Sequence, residues 1–139
     1  MNDRKDARSG SIRADIPLIP TSWGELLDKI SILEIKSARI IDAKAVANVK
    51  RELAMLSACL QPILSHESFA EWRTDLRNVN ERLWDIEDRI RQKERERSFD
   101  DEFVSLARSV YLTNDERAAI KRTINTAVGS EIVEEKQHI

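Results

Sequence analysis

The sequence predicts an all-α protein: an elongated bundle of four to five amphipathic helices arranged as two antiparallel hairpins. Three observations carry that reading. Of 139 residues only three are Gly and three Pro, while 35% are charged and 41% hydrophobic, a balance that favours long solvated helices over a turn-rich β fold. Apolar residues recur at spacings of three and four through successive segments. Helix-start signals, a small polar residue followed three positions later by Glu, stand at Ser22 and Thr113. A chain of this length is also the size of one domain.

The first thirteen residues, MNDRKDARSGSIR, are polar and of mixed charge. Residues 1–15 therefore read as a flexible tail, with too few apolar groups to offset the entropy of ordering, and 16–139 as a single helical domain. Ile16, Pro17, Leu18, Ile19 and Pro20 form an extended lead-in. Ser22 and Glu25 make a capping box for a helix starting near Trp23. Its inward positions are Trp23, Leu26, Leu27, Ile30, Leu33, Ile40 and Ile41, with Ala38 as a small residue among them. Asp42 caps a second helix, in which Val46, Val49, Leu53, Leu56, Leu60 and Ile63 form a coiled-coil-like seam. Helices one and two thus make a hairpin, and Pro62 ends or kinks the second.

The third helix runs from about Glu67 to about Glu96, with Phe69, Trp72, Leu76, Val79, Leu83, Ile86 and Ile90 stepping by three and four. Thirty helical residues span about 45 Å, far beyond the ~13 Å radius of gyration of a compact domain of ~100 residues, so the molecule is elongated. The segment RQKERER, Arg91 to Arg97, is charged throughout, which stops the apolar stripe at Ile90. A fourth helix begins at Ser98 or Asp100 and carries Phe99, Phe103, Leu106, Ala107 and Val110. Thr113 with Glu116 reads as a second capping box. The chain then either breaks near Asn114 into a fifth helix, with Ile120, Ile124 and Val128 inward, or continues unbroken to Gly129, a suitable left-handed cap. The ending SEIVEEKQHI is too short and charged to assign, although Ile132 and Val133 could dock on a neighbour.

The net charge is -2, from 25 acidic and 23 basic residues, so no basic field gathers nucleic acid. Cys59 is the single cysteine and His66 and His138 are isolated; this excludes an intrachain disulfide and a Cys/His zinc cluster, and no metal or other cofactor is implied. No apolar run could serve as a signal-peptide core or membrane span. A cytoplasmic protein that does not insert in membranes is the expectation.

Two clusters concentrate hydrogen-bonding chemistry. In the first, Arg108, Tyr111, Asp115 and Arg122 fall near one helix face, and Asn114, Arg117, Lys121 and Asn125 near another. A helix start at Asn114 would add free amides and a positive dipole end for an anion; the plainer reading is capping and surface ion pairs. In the second, Asn80, Trp84 and Glu87 set an amide and a carboxylate around an indole, a wall that suits a sugar or a base. Alternatively, Trp84 packs on another helix while Asn80 and Glu87 pair across an interface. The ligand-binding candidates are therefore Arg108, Tyr111, Asn114, Asp115, Lys121, Trp84, Asn80 and Glu87.

Glu34, beside Ile30 and Leu33, calls for an arginine partner from the third or fourth helix. Glu25 with Asp28, and Asp85 with Asp88, have the spacing of carboxylate pairs that hold magnesium against phosphates in all-α pyrophosphohydrolases, a pattern that chance also produces in so acidic a chain. A chorismate-mutase-like arrangement of arginines around carboxylates is no better supported. Neither His lies in a motif that would activate a serine or cysteine nucleophile.

Three stretches, WGELLDKISILEIKSARI (23–40), NVNERLWDIEDRIRQKE (78–94) and FVSLARSVYLTNDERAAIKRTIN (103–125), followed by GS and EEK, together resemble an uncharacterised bacterial all-helical domain family of unknown function. That family occurs as short stand-alone chains and attached to tetratricopeptide or glycosyltransferase-like proteins. The resemblance covers about Trp23 to Lys136; the tail before Ile16, Ala38 and the Gln137 to Ile139 ending depart from the pattern. It brings no activity, but it implies company with surface-glycan synthesis. Together with the long seams it points to a helical interaction or oligomerisation module, a homo-oligomer with a protein partner in glycan synthesis. The alternative is a small enzyme or binding protein for an anionic sugar or nucleotide.

Overall fold

The computed structural model describes residues 15–132, 134 and 135. The tail read over residues 1–15 lies, but for Asp15, outside the described residues, and so does Val133. Four α-helices follow in order: α1, Trp23–Arg39; α2, Ala43–Ser57; α3, Phe69–Glu96; and α4, Asp101–Val128, with a 3-10 turn at Ala58–Ile63 between α2 and α3. Among the described residues there is no strand.

Each helix starts and stops for a local reason. Ser22 Oγ accepts from the Glu25 amide at 3.1 Å, but only half of the predicted capping box forms, because the Glu25 carboxylate turns to Lys121 instead. α1 ends at Arg39, where Ile40 turns extended, so Ile41, predicted to face inward, is 96% exposed. Ala38 is exposed too. Asp42 caps α2 through the Ala45 amide at 2.9 Å. Pro62 lies inside the 3-10 segment that closes α2, where its missing N–H disturbs no α-helical ladder. Asp100 caps α4 through the Phe103 amide at 2.9 Å, and Gly129 ends it with φ 68°.

The predicted fifth helix does not separate. α4 runs unbroken through Thr113, Asn114 and Glu116. It contains neither Gly nor Pro, so only the weak helix preferences of Thr, Asn and Asp oppose continuity, each by less than about 1 kcal/mol, and packing overrides them. Thr113 is buried at 4% exposure rather than serving as a cap, and Glu116 pairs with Arg82 across to α3. A helix N-terminus at Asn114 is therefore not available to an anion.

α1 is the hub, packing on α2, α3 and α4, while α3 and α4 pair along their length. The core joins Leu26, Leu27 and Ile30 of α1 to Leu60 and Ile63 of the 3-10 turn, Trp72, Leu76 and Val79 of α3, and Ile124 of α4. Each such side chain contributes about 1.5–3 kcal/mol on burial. α2 has no fully buried residue and lies over α1 with its seam half-covered. The short connections at 40–42 and 97–100 make α1–α2 and α3–α4 antiparallel hairpins. The α3–α4 register is fixed by Arg82–Glu116, Arg89–Glu102 and Lys93–Asp100.

α1 stops where Arg39 bonds Asp85 on α3 at 2.7 Å. Past that point α3 and α4 continue as a two-helix arm, and from Trp84 to Leu112 no residue is fully buried.

Candidate functional site

On α1, Gly24, Asp28, Ser31 and Ile35 follow one another at steps of four, three and four, so they share one helix face. Leu26, Ile30 and Leu33 fall on the other side, with Leu27 between the two. Leu26, Leu27 and Ile30 join the core, while Gly24, Asp28 and Ser31 meet polar groups of α3 and α4. Gly24 permits the closest approach: a Cβ there would sit 2.6 Å from the Lys121 carbonyl oxygen and 2.9 Å from Asn125 Oδ1. The α1 amides are used by the protein itself, Trp23 donating to Ser130 Oγ at 3.1 Å and Gly24 to Asn125 Oδ1 at 2.7 Å. This ties the end of α4 to the start of α1.

One turn further on, Asp28 is 3% exposed and Asn80 5%. Asn80 Nδ2 donates to Asp28 Oδ1 at 2.9 Å and to Ser31 Oγ at 3.3 Å. Its Oδ1 accepts from Arg117 Nη1 at 3.3 Å, and Arg117 Nε stands 3.9 Å from Asp28 Oδ2. Lys121, 6% exposed, places its ammonium 2.7 Å from Glu25, 3.6 Å from Asp28 and 2.6 Å from Glu134. Burial works to lower the Lys121 pKa, but hydrogen bonds to Glu134 and Glu25 and the charge of Asp28 outweigh it and hold the group above its ordinary value. The Glu25 and Asp28 carboxylates thus converge on a resident ammonium. Among the described residues no group of three His, Cys, Asp or Glu side chains is arranged to hold a metal ion.

Above this polar crossing lies a cleft of about 240 Å³. Ile32 and the buried Ile35 of α1, Asn80, Leu83, Trp84 and Glu87 of α3, and Asn114 and Arg117 of α4 line it. The Arg39 guanidinium lies 5.6 Å from the Trp84 ring centre, a cation–π distance, while bonded to Asp85.

The eight candidate residues from the sequence divide among three places. Asn80, Trp84, Glu87 and Asn114 line the cleft, and Lys121 belongs to the ion cluster beside it. Arg108, Tyr111 and Asp115 lie on the exposed outer face of α4, away from the cleft lining, where a hydrogen bond to Tyr111 raises the Arg108 pKa. Glu34 takes Arg73 of α3 as its partner at 2.6 Å. Arg117, named in the first polar cluster beside Asn114 but not carried into the candidate set, lines the cleft, whereas Asp28 and Ser31 as hydrogen-bond partners of Asn80 were not singled out from the sequence. The signal for Asp28 and Ser31 is the Gly24, Asp28, Ser31 stripe on a helix otherwise apolar inward.

The cleft lining offers a guanidinium, two amides, a carboxylate and an indole, but no hydroxyl, thiol or imidazole. No helix among the described residues is long and apolar enough to cross a membrane.

Fold and cleft together define the class: an all-helical bundle with a polar cleft at a three-helix crossing. Residues 19–139 match DUF6165, described as a family of unknown function, and the chain belongs to that family. No curated protein and no solved structure matches it.

Proposed function

We propose that this domain is a recognition module that holds a compact anionic ligand in the cleft between α1, α3 and α4. The observation that carries the reading is the support of Arg117. Its guanidinium is bonded from below by Asn80, which is itself fixed by Asp28 and Ser31, while the side chain keeps 29% exposure. Apolar side chains at such a crossing would serve stability equally well or better. A buried network beneath a part-exposed guanidinium makes sense as pre-organisation, which binding sites need, and a rigid guanidinium fork matches carboxylates and phosphates.

A thermal-shift screen of the whole chain against anionic sugars and nucleotides tests this. A ligand at about 100 times its dissociation constant adds about 2.7 kcal/mol of stability, and Arg117→Met is expected to abolish the shift while the protein stays folded. No shift with any member of the screen counts against the reading.

A second reading rests on the arm, which leaves Phe99, Val104, Tyr111 and Leu112 each about half exposed. It is an interaction module, with a second copy of the chain against the arm and a protein partner in surface-glycan assembly. Light scattering at tens of micromolar decides the first part. A dimeric mass lost in Tyr111→Asp supports it, and a strictly monomeric mass removes it.

A further inference from the structure

Resting on the ligand reading of the cleft, we propose that its ligand is a single six-membered ring bearing one carboxylate and hydroxyls at the opposite end, an acidic monosaccharide of the hexuronate kind. Four features of the cleft converge on that chemistry.

Charge comes first. Arg117 is the cation that lines the cleft, and Glu87 is the anion. Lys121 is committed to three carboxylates and Arg39 to Asp85; Arg117 shares Asp28 with Lys121 at the longer distance of 3.9 Å and keeps 29% of its side chain exposed. One guanidinium opposed by one carboxylate suits a monoanion; a phosphate dianion would meet a single positive group and a like charge. The planar fork of Arg also matches a planar carboxylate through two parallel hydrogen bonds.

Length comes second. Arg117 is held at the level of Asn80, and Glu87 lies seven residues along α3, an axial distance of about 10 Å. An α-amino acid carries its charges on neighbouring atoms and cannot reach both ends. A ring with its carboxylate on one side and hydroxyls on the other spans the interval once side-chain reach is subtracted, with Glu87 accepting the hydroxyl hydrogens.

The third feature is the wall: Trp84 lies between Asn80 and Glu87 along α3 and lines the cleft with Ile32, Ile35 and Leu83, an indole being suited to the C–H face of a ring. Size is the fourth. A cleft of about 240 Å³ falls below the roughly 300–1,000 Å³ of sites that enclose drug-sized ligands, which favours one ring over a nucleotide.

The test is an NMR titration of the whole chain, following the Trp84 indole N–H and the Asn80 and Asn114 amides, with D-glucuronate, D-glucose, cyclohexanecarboxylate and uridine monophosphate. D-Glucuronate should move these resonances, with D-glucose and cyclohexanecarboxylate each about tenfold weaker or more, since each lacks one hydrogen-bonded end. Arg117→Met should weaken D-glucuronate about tenfold or more, and Glu87→Gln should weaken D-glucuronate while leaving cyclohexanecarboxylate unchanged. Equal binding of cyclohexanecarboxylate overturns the hydroxyl end, and tighter binding of the nucleotide overturns the single ring. If D-glucuronate leaves the resonances still while another anion of the thermal-shift screen moves them, the ligand class is wrong and the cleft reading stands; if no anion moves them, both fall.

Discussion

The α3–α4 hairpin has an inner half that lies against α1 and an outer half that does not, and the two are built differently from similar sequence. In the inner half Leu76 and Val79 are fully buried, and polar side chains are drawn inside with them, Asn80 onto Asp28 and Lys121 onto Glu25. In the outer half the same stepping continues through Ile86 and Ile90, but these are only half-buried, because two helices cover each other on one side. The arm is held instead by ion pairs, Arg89 to Glu102 and Lys93 to Asp100 and Glu102, and by Phe99 set edge-on to Phe103. A third helix creates an interior, and with it both a core and a place where buried polar groups can be fixed against a cleft.

Substitutions that empty the inner half should therefore cost most. Along the seam itself, Leu76→Ala should cost about 2–5 kcal/mol. Ile90→Ala, already open to water, should cost distinctly less, and equal losses would dissolve the contrast between the halves. Asp28→Ala removes the buried acceptor of Asn80, while Lys121 keeps Glu25 and Glu134, and is expected to lower stability by about 1–3 kcal/mol; urea denaturation showing a loss below about 1 kcal/mol would mean the network is not coupled to folding. Gly24→Ala forces a Cβ against the Lys121 carbonyl and should cost about 1–3 kcal/mol, whereas the same change at Gly129, where nothing stands within 4 Å of a Cβ, strains only the left-handed backbone.

The smallest effect belongs to the tip of the arm. The hydrogen bond from Lys93, with that from the Phe103 amide, lowers the Asp100 carboxyl from 3.8 to about 2. Because the folded-state value is depressed, its contribution is present above the unfolded value and is lost as pH falls from about 3.8 toward 2. Hydrogen exchange should show amides of the arm tip opening more readily across that window while those of residues 72–83 are unaffected by it; no difference between the two halves would separate Asp100 from the order of the arm. Lys121 acts in the opposite sense. Its folded-state value is raised, so its contribution holds below the ordinary 10.5 and is lost only as pH rises through the folded value.

Much of this architecture is legible in local sequence. The seam Trp72, Leu76, Val79, Leu83 and the caps at Ser22, Asp42 and Gly129 stand where spacing and capping chemistry put them, since both depend on residues within a turn or two of each other. The misreadings at Ile41 and Thr113 have separate causes. Ile41 continues the spacing of α1 numerically, but the chain leaves the helix at Ile40. Thr113 and Glu116 have the form of a capping box, but one is buried against neighbouring helices and the other bonds an arginine on α3. The candidate site was partly legible as well. Asn80, Trp84 and Glu87 share a helix face by spacing alone, whereas Arg108, Tyr111 and Asp115, equally polar in sequence, lie on the outside of α4.

By itself, then, the sequence determined that helices form, where most begin and end, and which faces are apolar, because those properties arise from interactions within about two turns. Tertiary structure alone decided which polar residues are buried. Asp28 meets Asn80 across 52 positions and Lys121 meets Glu25 across 96, and no local pattern encodes which helix lies opposite. The choice is made by the close approach at Gly24 and by the length of α1, which reaches Asp85 and leaves the rest of α3 and α4 to each other.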